Sequence, residues 1–372
     1  MDTEPRDDTA SEPMPSVSPG HKLPDPWISP TIKLSLTSVL LAVDLRSFLK
    51  HLEDRFLLAL HLRFSSRLLQ NAFLGADLDC LYFSCHLPGS TALPSGTSTT
   101  DSDLTGASQY GITFTPYTSS GDCMSQAQVI KSLQDIKAKG FKLVRVYSTD
   151  CNALKYIGSA CKEIGMNIII GVDIKSAGVS GAQEQVQEIV HWAQWSMVKL
   201  IVIGNEAISD GYCNASELAS FLSSAKNAFE AAGYSGNVTT SEPVKVWQEY
   251  GSSELCKHVG IVGANIHPYF NSNVTAAQAG NFALSEYQSL ERICGKSVLN
   301  LETGWPNTGD ANGAAVPSVT EQETTIKAIA EAIGPMSVFF SYANDDWKLP
   351  GPFNVEQHWG CFPVFSAIRS RF

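Results

Sequence analysis

The sequence predicts a (β/α)8 barrel, known as a TIM barrel, over residues 109–372 of a chain of 372 residues. Two observations predict it: eight short apolar runs alternate with eight helical segments, and most of the runs are continuously apolar. Continuous apolar runs suit parallel strands that are buried on both faces. An open, doubly wound sheet is the competing fold, but GITFTPYTSSGD lacks the glycine-rich fingerprint expected after its first strand.

The predicted strands are the apolar runs that end in polar or turn-forming residues. In chain order they are YGITFTPY, FKLVRVYS, MNIIIGVDI, VKLIVIGNEA, GNVTTSEP, VGIVGANIHPYF, KSVLNLETGWP and MSVFFSYAND.

The predicted helices have apolar residues at helical spacing, and two of them begin with a capping box, at Ser125 with Gln128 and at Asn214 with Glu217. In chain order they are SQAQVIKSLQDIKAKG, DCNALKYIGSACKEIG, GAQEQVQEIVHWAQW, NASELASFLSSAKNAFEAAG, VKVWQEYGSSELC, residues 276–294, residues 320–333 and PVFSAIRS.

The residues before the predicted barrel have a different character. Residues 1–89 are interpreted as a mostly disordered leader without a compact domain, because they open with a stretch that is acidic and rich in proline and serine. The apolar run Leu34–Val43 is too short to span a bilayer. Two interpretations of residues 1–108 stay open from the sequence: a real leader, or an extension upstream of the true start. Residues 90–108 are rich in Ser and Thr, which predicts a flexible linker.

Composition limits the classes of partner. The net charge of −11 argues against nucleic acid as the main partner, since such sites need basic patches. Nine cysteines without zinc spacing and three N-x-[ST] sequons, at Asn214, Asn237 and Asn273, favour a secreted protein with disulfides. We expect a monomer without a membrane-spanning segment, cofactor or metal.

Two of the predicted strands end in a glutamate: Glu206 ends the fourth strand and Glu302 ends the seventh. The carboxyl ends of the strands form the active-site face of such a barrel, so these two carboxyls are expected to meet across its mouth. Burial and mutual repulsion would raise one pKa and leave the other carboxyl ionised, which suits glycoside hydrolysis. A single strand-end glutamate is more often a helix cap or ion-pair partner, but two in these positions favour chemistry.

The motifs GITFTPY, LVRVYSTDC, VIGNEA, VTTSEP, VGANIHPYF, NLETGWP and FFSYANDDWK resemble glycoside hydrolase family 17. The likeness is to its fungal cell-wall branch of β-1,3-glucanases, glucanosyltransferases and cell-wall β-glucosidases, and it covers about Tyr110–Phe365. It implies a retaining enzyme that acts on β-1,3-glucan, with Glu206 as acid/base and Glu302 as nucleophile. It also implies a secreted, wall-associated protein.

The chain departs from the family pattern at three places. Ala343 stands in a segment where relatives commonly have a glutamate, and the loop TGDANGAAVPS lacks a cysteine pair that close relatives often carry. The leader is the third departure, since the family is secreted but the segment before Leu34–Val43 is acidic where a signal peptide has a basic one. None of these departures involves the two glutamates.

Other polar and aromatic residues near the strand ends are candidates for sugar binding. They are Asn205, Tyr147, Asn265, His267, Tyr269, Trp305, Tyr342 and Trp347. Core packing competes with this interpretation for Tyr342 and Trp347, and a structural hydrogen bond competes with it for His267. Arg145 lies inside a strand, where a buried guanidinium needs a carboxylate, and we expect it to pair with Glu302 and keep it ionised.

Two other classes of function compete with the glycosidase. A wall mannoprotein could use the same fold only to bind glucan, although a pure binder has no reason to keep two costly carboxylates. A barrel lyase or aldolase would need a lysine at the active-site face. Lys142, Lys199 and Lys296 are all predicted at strand beginnings, which lie at the opposite face.

Overall fold

A computed structural model describes residues 104–367 as eight parallel strands that close into a barrel. Each strand pairs with its neighbours in chain order, and the first pairs with the last, as in Ile112 with Phe339. The strands are β1 Gly111–Thr113, β2 Leu143–Arg145, β3 Asn167–Val172, β4 Val198–Asn205, β5 Asn237–Pro243, β6 Val262–Asn265, β7 Val298–Thr303 and β8 Ser337–Phe339. The barrel prediction is confirmed, and the open sheet is excluded.

Seven α-helices of seven or more residues connect the strands within the described range. They are α1 Gln126–Ala138, α2 Ala153–Ile164, α3 Gln183–Trp192, α4 Ala215–Ala231, α5 Val244–Tyr250, α6 Ala279–Cys294 and α7 Val319–Ile333. Shorter helical turns are Gly106–Ser108, Gly178–Gly181, Trp195–Met197, Gly251–Leu255, Pro268–Phe270, Ala276–Gln278, Gly334–Met336, Pro352–Asn354 and Phe362–Val364.

Local sequence explains where the helices begin. The two predicted capping boxes are present: the Ser125 and Gln128 pair opens α1, and the Asn214 and Glu217 pair opens α4. Both satisfy backbone N–H groups that have no partner within the helix. The eighth predicted helix, in PVFSAIRS, is only the short turn Phe362–Val364 within the described residues.

Apolar side chains fill two spaces. A small set fills the inside of the barrel: Leu143, Ile169, Leu200, Val202, Leu299, Leu301 and Val338. A larger set lies between the strands and the surrounding helices. Because successive residues of a strand point to opposite faces, the side chain of Arg145 follows that of Leu143 into the barrel, nearer its mouth.

The predicted leader, residues 1–89, lies outside the described residues, as does most of the predicted linker. The last residues of that linker pack on the barrel: Gly106 is buried, and its N–H donates to Lys139 O at 2.7 Å. Within residues 104–367, none of the helices has the length and apolar character needed to cross a membrane.

Two disulfides tie segments of the barrel together. Cys123–Cys151 joins the loops that follow β1 and β2, and Cys256–Cys294 joins the end of the turn after α5 to the end of α6. Three further cysteines of the described range are buried thiols: Cys161, Cys213 and Cys361.

Candidate active site

The end of β4 turns sharply to bring Glu206 into the barrel mouth. Glu206 has a φ of 55°, and Gly204 before it has a φ of 78°. A positive φ is unfavourable for a residue with a side chain, so the surroundings must hold it. The Glu206 N–H donates to Ser241 O on β5 at 2.7 Å, and Asn265 Nδ2 donates to Glu206 Oε1 at 2.8 Å.

Glu302 lies in β7, where its carboxylate is almost fully buried. Arg145 Nη1 donates to Glu302 Oε1 at 3.0 Å, and His267 Nε2 lies 3.4 Å from Glu302 Oε2. Burial alone raises the pKa of the Glu302 carboxyl, but the hydrogen bond from His267 and the charge of Arg145 outweigh it. The net pKa is below the usual range, so Glu302 is ionised at neutral pH.

A chain of hydrogen bonds connects the two glutamates. Arg145 Nη2 donates to Asn205 Oδ1 at 2.7 Å, while Nη1 of the same guanidinium holds Glu302. Asn265 Nδ2 lies 3.1 Å from Asn205 Oδ1 and 2.8 Å from Glu206 Oε1. These hydrogen bonds therefore orient the side chains of both asparagines, and one network fixes the positions of both carboxyls.

The pKa of Glu206 is shifted the opposite way. Burial raises it most, and the negative charge of Glu302 raises it further, against the hydrogen bond from Asn265. The two carboxyls thus have pKa values pushed apart by their surroundings. This arrangement gives one group that can donate a proton and another that stays ionised beside it.

Both glutamates line one open cavity of about 340 Å³ at the barrel mouth. Its other lining residues are Thr115, Tyr117, Tyr147, Ser148, Asp173, Lys175, Asn205, His267, Phe270, Phe340, Trp347, Lys348, Glu356 and Trp359. A second cavity of about 640 Å³ adjoins it and shares Glu206, His267 and Phe270, but Glu302 does not line it. The cleft therefore extends to both sides of Glu206.

The structure brings most of the predicted site residues to this cleft. Arg145 pairs with Glu302 as expected. Asn205, Tyr147, His267 and Trp347 line the first cavity, and Asn265 lines the second.

Three predicted sugar-binding residues lie elsewhere. Trp305 and Tyr269 are fully buried: Trp305 Nε1 donates to Val316 O at 3.0 Å, and the Tyr269 hydroxyl donates to Asp310 O. Tyr342 packs edge-on against Phe114, with ring centroids 5.6 Å apart, and also contacts Phe362. None of the three lines either cavity, because proximity to a strand end does not determine whether a side chain turns toward the mouth or the core.

Sequence reasoning missed several residues of the cleft. Trp359 and Tyr117 come from long loops, and Trp359 packs edge-on against His267 with ring centroids 4.9 Å apart. Tyr117 packs edge-on against Trp347 at 5.0 Å, and its hydroxyl donates to Asp150. No periodic signal marks these loop residues.

The three lysines weighed for a lyase lie at the amino ends of their strands, as predicted. Lys142 precedes β2, Lys199 is the second residue of β4, and Lys296 precedes β7. Lys296 Nζ is held there by the carbonyls of Cys256 and Val259, at 2.7 Å each. They are on the wrong face for Schiff-base chemistry at the mouth. Among the described residues, no group of three or more His, Cys, Asp or Glu is placed to hold a metal ion.

A closed (β/α)8 barrel with two such carboxyls at its mouth has the architecture of a glycoside hydrolase. The chain belongs to the BtgE/BtgC glycoside hydrolase domain family, whose family model matches residues 111–360.

Curated relatives agree with this family. "Probable beta-glucosidase btgE" of Aspergillus terreus is 55% identical over 279 residues, which is 74% of this chain and 50% of that protein. Its namesake in Aspergillus fumigatus is 60% identical over 259 residues, 69% of this chain and 46% of that protein. The chain spans about half the length of the curated relatives it matches.

Solved structures share the fold. An active-site mutant of the Rhizomucor miehei beta-1,3-glucanosyltransferase in complex with laminaritriose superposes with a TM-score of 0.59 at 21% identity, covering 68% of this chain and 93% of that one. An endo-laminarinase from Formosa has a TM-score of 0.57 at 18% identity, covering 69% of this chain and 84% of that one.

Proposed function

We propose that the barrel is a retaining glycoside hydrolase or transglycosylase of family 17 that acts on β-1,3-glucan of the fungal cell wall. The observation that carries this proposal is that Glu206 and Glu302 line one cleft in opposite surroundings: Asn265 donates to Glu206, whereas Arg145 pairs with Glu302. These surroundings shift the pKa of Glu206 up and the pKa of Glu302 down. The names of the relatives and the laminaritriose in the solved glucanosyltransferase support the substrate class.

The reaction follows from the two protonation states. The Glu302 carboxylate attacks the anomeric carbon and forms a glycosyl ester, while the Glu206 carboxyl gives its proton to the departing glycosidic oxygen. The Glu206 carboxylate then removes a proton from water or from a sugar hydroxyl, and that oxygen displaces Glu302. Two inversions leave the β configuration of the product unchanged.

The two cavities suggest how the substrate lies. A nucleophile contacts the sugar that becomes covalently bound, whereas the acid contacts the oxygen that leaves. Glu302 borders only the first cavity and Glu206 borders both, so the transferred sugar fits the first cavity. The leaving saccharide, and later the acceptor, fits the second.

We also propose that the protein is secreted and associated with the cell wall. Two disulfides and exposed sequons at Asn214, Asn237 and Asn273 support this location. Cell fractionation of the native host with deglycosylation by an endoglycosidase tests it. A reduced, unglycosylated protein in the cytosol would contradict it.

The activity is tested by incubating the purified protein with laminari-oligosaccharides and following the first product by proton NMR. The expected first product is the β-anomer. An α-anomer would contradict the retaining mechanism. Binding of the oligosaccharides without any product would instead identify a glucan-binding protein.

A further inference from the structure

The carboxyl group of Glu242 takes no part in the chemistry proposed above, yet it is fully buried beside the acid/base. Glu242 lies in β5, next to Ser241, whose carbonyl accepts the Glu206 N–H. Its two oxygens accept from backbone groups: Oε1 from Ile208 N at 2.9 Å and Oε2 from Ser209 N at 3.3 Å.

These two N–H groups belong to the turn that carries Glu206. The turn is helix-like, because Asp210 N donates to Glu206 O at 2.7 Å. The first N–H groups of such a turn have no acceptor inside it. A helix normally obtains that acceptor from a capping residue of its own chain segment, whereas here Glu242 supplies it from the neighbouring strand. The contact holds the turn against β5 while Glu206 keeps its unfavourable φ of 55°.

Keeping a carboxyl in this place is costly. Burial raises the pKa of Glu242 to about 8, and the charges of Glu206 and Asp210 raise it as well, although the two backbone hydrogen bonds act against them. Because the pKa is higher in the folded protein than in the unfolded chain, folding must add a proton to Glu242 at neutral pH, which lowers stability. Its geometry suggests what offsets this cost.

We infer that Glu242 is a positioning residue that fixes the Glu206 turn so that the acid/base carboxyl meets the glycosidic oxygen. This inference rests on the proposed function, because it presumes that Glu206 donates the proton. The positioning role predicts that substitution of Glu242 slows only the reactions that need a proton from Glu206. A role in barrel stability alone would reduce the rate on all substrates together.

The test is the substitution Glu242→Gln, which keeps the volume and one acceptor but turns an N–H donor toward the other backbone N–H. A series of aryl β-laminaribiosides measures kcat/KM, which reports the glycosylation step. For 4-methoxyphenolate, which must be protonated to leave, we expect a fall of about 10- to 100-fold, the usual effect of a small misplacement. For 2,4-dinitrophenolate, which leaves unaided, we expect a change below about threefold.

Gln322→Ala is the matched control. Gln322 lies on α7 and is also buried and polar, but its side chain donates to Trp305 O, at 2.7 Å. It should lower thermal stability without changing the dependence of kcat/KM on the leaving group. Glu206→Gln provides the reference, since it should show the same leaving-group pattern as Glu242→Gln in stronger form.

The outcomes separate the two claims. An inactive wild-type protein on every glycoside would refute the proposed function. An active wild type with equal losses for both leaving groups in Glu242→Gln would refute only the positioning role. Loss of folding in both Glu242→Gln and Glu242→Asp would also overturn it, because the barrel itself would then need the carboxyl.

Discussion

Arg145 and Glu302 form an ion pair inside the barrel, with Nη1 and Oε1 3.0 Å apart and the side chains 1% and 8% exposed. The same guanidinium orients Asn205, which contacts the amide that holds Glu206. Removing one partner of a buried pair leaves the other charge without compensation, which typically costs about 3–5 kcal/mol. Arg145 therefore affects both the folding and the ionisation of the site.

The first prediction is that Arg145→Met destabilises the protein by about 3–5 kcal/mol at pH 7 and by less at pH 4. The pKa of Glu302 is lowered in the folded protein, so its ionisation contributes stability above the unfolded pKa and loses it as pH falls through the folded pKa. Urea unfolding at both pH values measures this. Adding Glu302→Gln to Arg145→Met should recover stability, and a further loss would contradict the pairing.

The second prediction is that Glu206→Gln stabilises the protein at pH 7 by on the order of 1 kcal/mol while it removes activity on poor leaving groups. The pKa of Glu206 is raised in the folded protein, so stability falls as pH rises from the unfolded pKa toward the folded one. The glutamine keeps the acceptor for Asn265 without the charge. Thermal melts from pH 3 to pH 7 should show the gain appear only as pH rises, and a gain independent of pH would be contrary evidence.

The third prediction compares two tryptophans that are both candidates for sugar binding from the sequence. Trp347 is 39% exposed and lines the cleft, whereas Trp305 is fully buried. We expect Trp347→Ala to raise KM for oligosaccharides by about tenfold, because removing an aromatic ring that contacts a ligand typically costs about 1–2 kcal/mol of binding free energy. Its effect on stability should be small. Trp305→Ala should instead lower the free energy of unfolding by about 3–5 kcal/mol. Steady-state kinetics and chemical unfolding of both variants check this, and equal effects on KM would refute the distinction.

The fold could be predicted because the repeat of apolar runs and helical periods depends on local sequence alone. The placement of Glu206 and Glu302 at the barrel mouth could also be predicted, because each follows an apolar run and so lies at the carboxyl end of a strand. Glu242 also lies near the end of a predicted strand, in the segment TTSEP. Its positioning role, however, can be inferred only from its contacts with Ile208 and Ser209 in the structure.

The aromatic wall of the cleft could not be predicted in the same way. Trp359 lies in a loop beyond β8, and its approach to His267 depends on how that loop crosses the barrel mouth. Conversely, Trp305 lies close to Glu302 in sequence, yet its indole turns away to donate to Val316 O. The direction in which such a side chain points is set by packing between loops, which local sequence does not determine.

The fourth prediction concerns the two disulfides. Cys123–Cys151 and Cys256–Cys294 close loops of similar length, so the chain-entropy relation assigns each about 3–4 kcal/mol of stability. The first is adjacent to the contact between Tyr117 and Asp150 at the cleft. When both cysteines of the Cys123–Cys151 disulfide are replaced with Ser, we expect KM to rise and stability to fall.

Replacing the cysteines of Cys256–Cys294 with Ser is the control. This disulfide lies near Lys296, at the amino ends of the strands. Its loss should lower stability to a similar extent and leave KM unchanged. Thermal melts and steady-state kinetics on laminari-oligosaccharides compare the two variants, and an equal rise of KM in both would show that general loosening is responsible.

The fifth prediction assigns the two glutamates by the products of azide rescue. Glu206→Ala lacks the acid and the base, so a dinitrophenyl β-glycoside should still glycosylate Glu302, and azide should then displace the ester to give the β-glycosyl azide. Glu302→Ala lacks the nucleophile, so azide should attack the substrate directly from the opposite face and give the α-azide. Proton NMR of the azides distinguishes the two anomers. Exchanged anomers would reverse the assignment, and wild-type activity in either variant would remove that residue from the chemistry.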